Sequence, residues 1–255
     1  MHITKSQIKL FRSLRQKKFR EESHLFLAEG RKCVESLFAR FHRGYLILKE
    51  GVIMKNVPQE IRLLEASEKE MSQISQLQTP PDVLAVFAVP DEQISVAQCL
   101  VLAKSELVLV LDEVQDPGNL GTIIRTADWF GVRHIVCSSA TADVFNGKVV
   151  QATMGSLARV QVHYTDLEPF LRDAVRSSIP VYGTLLDGEN IYSRPLSSSG
   201  ILMMGNEGKG ISDSLRRYIT DSLLIPSFPT GSPTAESLNV AVATAVVLAE
   251  FRRRM

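Results

Sequence analysis

Hydrophobic positions are spaced differently in the two halves of the chain. Ile8, Leu10, Phe11 and Leu14 recur at helical spacing among basic residues, which predicts a helix over residues 5–20. A second helix is predicted over 29–40, and short apolar runs at 45–48 and 83–89 predict strands. Thr79-Pro80-Pro81 breaks the chain before the later run. From Leu107 onward, five-residue-scale apolar runs at 107–111, 134–137, 181–186, 201–204 and 223–225 alternate with helical spacing. The helical stretches are 120–130, 144–154, 167–177, 211–219 and 238–252. Buried strands alternating with helices predict an α/β domain with a mostly parallel sheet. The boundary is placed in a linker at 91–105, leaving one domain at 1–90 and a second at 106–255.

Composition narrows the class. The chain has 255 residues, of which 45% are apolar, so it can bury a core and is not disordered. The strongest apolar stretch, 240–249, is about half what a membrane-spanning helix needs, and the N-terminus lacks the apolar block of a secretory signal. These features predict a soluble, cytoplasmic protein without a membrane partner. Three cysteines far apart (Cys33, Cys99, Cys137) and five scattered histidines give neither a disulfide framework nor metal-ligand spacing. No metal site is therefore expected.

The net charge of +1 conceals an asymmetry, because residues 1–40 hold ten basic side chains against four acidic. Lys9, Arg12, Arg15, Lys17, Lys18 and Arg20 form a run suited to an RNA phosphate backbone. A solvated basic helix face explains the run equally well.

Ligands in parallel sheets gather at the C-terminal ends of strands, which directs attention to three loops. In the first, Asp116-Pro117-Gly118-Asn119 is a turn, with Asn119 placed to cap the helix that follows. On that helix Arg125 and Trp129 fall on the face away from the sheet. There Arg125 meets either an anion or Asp128, and Trp129 suggests a partner surface. The second, Gly205-Asn206-Glu207-Gly208-Lys209-Gly210, has neither dinucleotide nor phosphate-loop spacing, but its glycines admit a ligand close to the backbone. The third runs from Pro226 to a helix predicted to start at Glu236 or Ser237. From Val240 to Ala249 that helix is polar only at Thr244. A helix apolar all round needs cover on every side, from a second subunit or from the middle of its own core.

Taken together the three loops resemble the signature motifs of the SpoU/TrmH family of RNA ribose 2′-O-methyltransferases. The matching segments are Asn119-Leu120-Gly121 through Arg125-Thr126-Ala127, then 205–210, then Ile225-Pro226 with Ser237-Leu238-Asn239-Val240. The stretch KLFRSLRQKKFREESHLFLAEGRKCVESL is similar to the small α/β substrate-binding domain, related to RNA-binding ribosomal proteins, that many members carry. The resemblance implies a C-terminal domain tied as a trefoil knot, a homodimer, and S-adenosylmethionine as cofactor. As substrate it points to ribosomal RNA in preference to transfer RNA. It also implies cofactor contacts around Leu185, Gly205, Ile225 and Leu238, and a reacting centre lined by Arg125, Asn119, Glu207, Ser237 and Asn239. One departure stands out: SFPTGSPTAE, between Pro226 and Ser237, is longer than the family pattern.

The implied reaction needs the 2′-oxygen in line with a sulfonium methyl and help for the developing alkoxide. A guanidinium stays protonated, so Arg125 fits that role through its charge and planar fork rather than as a plain base. Ser237 and Asn239 read as positioning residues. Two other readings stand beside this one: a knotted methyltransferase acting on an RNA base, and a non-catalytic RNA-binding or ribosome-assembly protein. A nicotinamide dehydrogenase lacks its glycine fingerprint.

Overall fold

Every apolar run expected to be a strand overlaps one in the computed structural model, which describes residues 1–90, 94–229 and 235–253. In the first half the elements are α1 (Lys5–Ser13), α2 (Lys17–Ser23), β1 (Leu25–Glu29), α3 (Arg31–Leu37), β2 (Gly44–Lys49), β3 (Ile61–Ala66), α4 (Glu68–Ile74) and β4 (Val83–Ala88). There follow α5 (Val96–Leu102), β5 (Leu107–Leu111), α6 (Pro117–Trp129), β6 (His134–Cys137), α7 (Gly147–Ala152), β7 (Gln161–Tyr164) and α8 (Leu167–Arg176). The chain continues through β8 (Val181–Asn190), β9 (Gly200–Met204), α9 (Asp213–Arg216), β10 (Asp221–Leu224) and α10 (Val240–Arg253).

These elements form two units. The first joins Met1–Glu92 to the excursion Asp143–Arg159, which carries α7. Its sheet has the order β1-β4-β2-β3, with β2 and β3 parallel and the other pairs antiparallel. On one side Ile8, Phe11, Leu14, Ile47, Leu64 and Met71 form the core. Elsewhere Phe26 packs edge-on to Phe41 and lies 4.6 Å from the ring of Phe145, which belongs to the excursion. The excursion is further held by Arg20, whose Nε donates to Asp143 Oδ2 at 2.9 Å.

Here the structure corrects several expectations. Residues 5–20 are two helices: α1 ends at Ser13 and α2 begins at Lys17. Leu10 is exposed, not part of the apolar face. The predicted helix at 29–40 is the end of β1 followed by α3, because Gly30, at a φ of 87°, breaks the backbone between them. The sequence reading does not anticipate β1, β3 and β7: Arg62 and Glu65 interrupt the apolar run of β3, and Gln161 and His163 that of β7. Helix α4 is announced only by the reciprocal cap between Ser67 and Glu70. The stretch expected as linker contains α5, which closes its own capping box between Ser95 and Gln98 and buries Cys99 in the second unit.

The second unit, Gln93–Ala142 with Val160–Met255, is built on six strands in the order β10-β8-β9-β5-β6-β7, all parallel. Val108, Val110, Val136, Ile201 and Met203 turn one sheet face to a core shared with Phe170 and Leu171 of α8 and Cys99 of α5. Helices α6 and α10 pack on each other. Among the described residues, no helix is long and apolar enough to cross a membrane. Cys99, His134 and His163 converge in this core, although they are scattered in sequence.

Candidate methyl-transfer site

The loops that follow β5, β9 and β10 meet through side-chain hydrogen bonds. Helix α6 starts at Pro117, and its cap is Asp116, which accepts from Asn119 N at 2.8 Å. Asp116 before a proline at the first helical position is a strong start signal, and it displaces Asn119 from the capping role expected for it. Asn119 is thereby one turn inside the helix with its side chain free to bond elsewhere. Its Nδ2 donates to Glu207 Oε1 at 3.1 Å, and its Oδ1 accepts from Asn239 Nδ2 at 2.9 Å.

Glu207 is the hub. Besides Asn119, it accepts from the peptide N–H of Gln115 at 3.2 Å and of Asp116 at 3.1 Å. Partial burial pushes its carboxyl up, but the hydrogen bonds from Asn119 and from backbone N–H groups outweigh this and hold it below the usual carboxylate range. Asn206 shapes the loop around it. The Asn206 side chain donates to Glu113 O at 2.8 Å and accepts from the N–H groups of Gly208 and Lys209. At Gly205 a Cβ would stand 2.2 Å from the carbonyl carbon of Gly210, so only glycine lets the loop close on itself. Asp112, buried at the end of β5, accepts from Ser212 N at 2.8 Å and ties that same loop to the sheet.

Asn239 also corrects the expected start of the last helix. Rather than Glu236 or Ser237, Asn239 caps α10, its Oδ1 accepting from Ala241 N at 2.9 Å and Val242 N at 3.2 Å. Both ends of its amide are used, one to start α10 and the other to hold Asn119. Ser237 and Leu238 are exposed just before it.

Arg125 is exposed on α6, and its guanidinium makes no hydrogen bond or ion pair among the described residues, so the expected alternative pairing with Asp128 is not made. Trp129, one turn further, is 85% exposed. The site thus brings Asn119, Glu207 and Asn239 together and leaves Arg125 and Ser237 outside that network. Sequence reading missed Asp116 as the cap and Asp112 as the anchor, and both stand at a strand end or before a proline, where they could have been suspected.

The expected cofactor positions lie on adjacent strands. β8 pairs with β10 at Ser222↔Gly183 and next at Leu223↔Glu189, so residues 184–188, including Leu185, bulge out of the ladder. A bulge frees peptide N–H and C=O groups to meet a ligand. Gly205 follows β9, and Ile225 follows β10. Peptide groups in a strand bulge and at two neighbouring strand ends, beside a glycine-only turn, fit a nucleoside such as that of S-adenosylmethionine. The lengthened loop falls partly at 230–234, outside the described residues.

In the basic run, Lys9, Arg12, Arg15, Lys17 and Lys18 are exposed. Lys17 and Lys18 pair along α2 with Glu21 and Glu22, and Arg15 donates to the carbonyl of Ser75. Arg20 departs from expectation. It is 6% exposed, committed to Asp143 and to Leu14 O at 2.7 Å, and cannot reach a phosphate without unpacking the unit.

The SpoU rRNA Methylase family matches residues 106–249, and the MRM3-like substrate binding domain matches 5–85. The chain is 34% identical to the 23S rRNA (guanosine(2553)-2′-O)-methyltransferase RlmP of Bacillus subtilis, over 96% of each chain. It is similar to the structure of an RNA methyltransferase of the TrmH family from Porphyromonas gingivalis, with a TM-score of 0.88, 40% identity and full coverage of both chains. It is also similar to an AdoMet-bound rRNA methyltransferase from Sinorhizobium meliloti, with a TM-score of 0.83, 33% identity and coverage of 100% and 97%.

Proposed function

The chain belongs to the SpoU rRNA methylase family and is an S-adenosylmethionine-dependent RNA ribose 2′-O-methyltransferase, and we propose that its target is a guanosine of 23S ribosomal RNA. The target follows from the full-length similarity to a relative named for that substrate. The observation that carries the site assignment is the relay Asn239–Asn119–Glu207, which joins the loops that follow β5, β9 and β10.

When bound, S-adenosylmethionine supplies an electrophilic methyl on a sulfonium leaving group. Arg125 stabilises the alkoxide developing on the 2′-oxygen, by its charge or through the adjoining phosphate, and its lack of a partner among the described residues leaves the guanidinium available for this. Asn119, Glu207 and Asn239 act as positioning residues. They fix the first turn of α6 and hence the direction in which Arg125 projects. Ser237 lines the approach.

The same reading makes the C-terminal segment the thread of a trefoil knot, supported by the bonds linking loops far apart in sequence. It makes the protein a cytoplasmic homodimer. The exposed Trp129 of α6 and the half-exposed Val242 on the neighbouring α10 support a subunit contact there. Lys9, Arg12 and the exposed lysines of α2 supply RNA affinity. Incubation with 23S transcript fragments and with transfer RNA tests the target: labelled methyl enters only the 23S fragment. Equal labelling of transfer RNA would refute the target.

A further inference from the structure

We propose that Cys99, His134 and His163 form a binding site for a single zinc-like divalent cation, built into the β6–β7 edge of the methyltransferase sheet. The three come from three elements. In the parallel β6–β7 pair, His163 stands opposite Val136. Side chains alternate along strands, so His134, Val136 and His163 share one face. That face is the one on which Val136 packs with Cys99 of α5 and Phe170 of α8. The two imidazoles stack there with ring centres 5.9 Å apart and an angle of 28°. Cys99 is wholly buried above them. One donor atom from each of the three residues lies within 4.8 Å of the other two.

The chemistry favours a borderline-soft ion. One thiolate and two imidazoles suit Zn²⁺ or Co²⁺ better than the hard cations, which prefer oxygen. Tetrahedral coordination, with nitrogen at about 2.0–2.1 Å and sulfur at about 2.3 Å, places donors roughly 3.4–3.7 Å apart. The cluster therefore has to contract by about 1 Å, a shift within reach of rotamer adjustment, and a water completes the fourth position. To ligate the ion the Cys99 thiol gives up its proton. On binding, that proton passes to solvent and the dication neutralises the thiolate.

The site lies apart from methyl transfer. His134 opens β6, whereas the reactive loops follow the far ends of β5, β9 and β10. An ion here ties α5 to the sheet. The wide sequence separation of the three ligands is why no motif reveals them.

Untagged full-length protein, freed of metal, is titrated with Co²⁺ and followed by absorbance. Binding of one equivalent with a thiolate-to-cobalt charge-transfer band, abolished in Cys99→Ser and retained in Cys33→Ser, is the expected result. Zn²⁺ then displaces the cobalt and raises the melting temperature of the wild type but not of His163→Gln. Absence of the band from the wild type, or its persistence in Cys99→Ser, would overturn the site. Because the wild-type titration decides the matter alone, misfolding of a variant leaves the test intact, and methyltransferase activity plays no part in it.

Discussion

Asn239 donates its side-chain amide to Asn119 at 2.9 Å, across 120 positions of sequence. Asn119 passes the constraint on to Glu207, so the cap of α10 and the loop after β9 are both registered against the first turn of α6. A relay of this kind is non-additive. Asn119→Ala and Asn239→Ala should each lower kcat by about tenfold, and a double-mutant cycle should give a coupling of about 1 kcal/mol. Strict additivity would show that the two amides act separately.

Glu207 accepts from three N–H donors, which a neutral amide cannot do. Glu207→Gln should lose stability by about 1–3 kcal/mol through the donors it strands, measured by denaturant unfolding. The carboxyl is held below its ordinary value, so its contribution to stability is present above the unfolded-state pKa. It is lost as pH falls through the lower folded-state value. A carbon-13 titration of the Glu207 carboxyl should show a midpoint below that of an ordinary glutamate. A midpoint above it would mean that burial outweighs the hydrogen bonds.

Arg125 works through a planar fork as well as a charge. Arg125→Lys should lower kcat by roughly 10²–10³ with little change in cofactor affinity, read by single-turnover kinetics and calorimetry. Full turnover would remove Arg125 from the reaction.

The basic run divides into two kinds of residue, and the division can be measured. Lys9→Ala with Arg12→Ala should weaken RNA binding and lower the slope of log affinity against log salt by roughly 1–2, leaving the melting temperature unchanged. Arg20→Ala should act the other way round. It strands Asp143 in a buried pair and costs about 3–5 kcal/mol of stability in unfolding experiments.

Exposed apolar side chains on α6 and α10 predict a subunit contact. Trp129→Ala combined with Val242→Glu should shift sedimentation from dimer to monomer. An unchanged dimer would place the contact elsewhere.

The parallel sheet was legible because strands buried on both faces read as unbroken apolar runs, as Leu107–Leu111 does. The motif residues were legible as a set, but their bonding was not. Asn119 reads as a cap by type, and only Asp116, placed before Pro117, shows that the helix starts earlier. Arg20 looks the same as Lys17 or Lys18 in a charge count. What buries it is Asp143, which the sequence places far away in a segment that leaves one unit to pack in the other. The Cys99, His134 and His163 cluster escaped for the same reason, since a sheet edge and a helix bring together what spacing keeps apart.

Methyl transfer to a ribose oxygen, with Arg125 at the reacting centre, can be measured directly. Wild-type protein and Arg125→Ala are incubated with labelled S-adenosylmethionine and 23S ribosomal RNA from cells lacking the protein, and the RNA is digested to nucleosides. Label should enter 2′-O-methylguanosine with the wild type, and almost none should enter with the variant although it still binds the cofactor. Label in a base-methylated nucleoside with a free 2′-hydroxyl would contradict methyl transfer to the ribose.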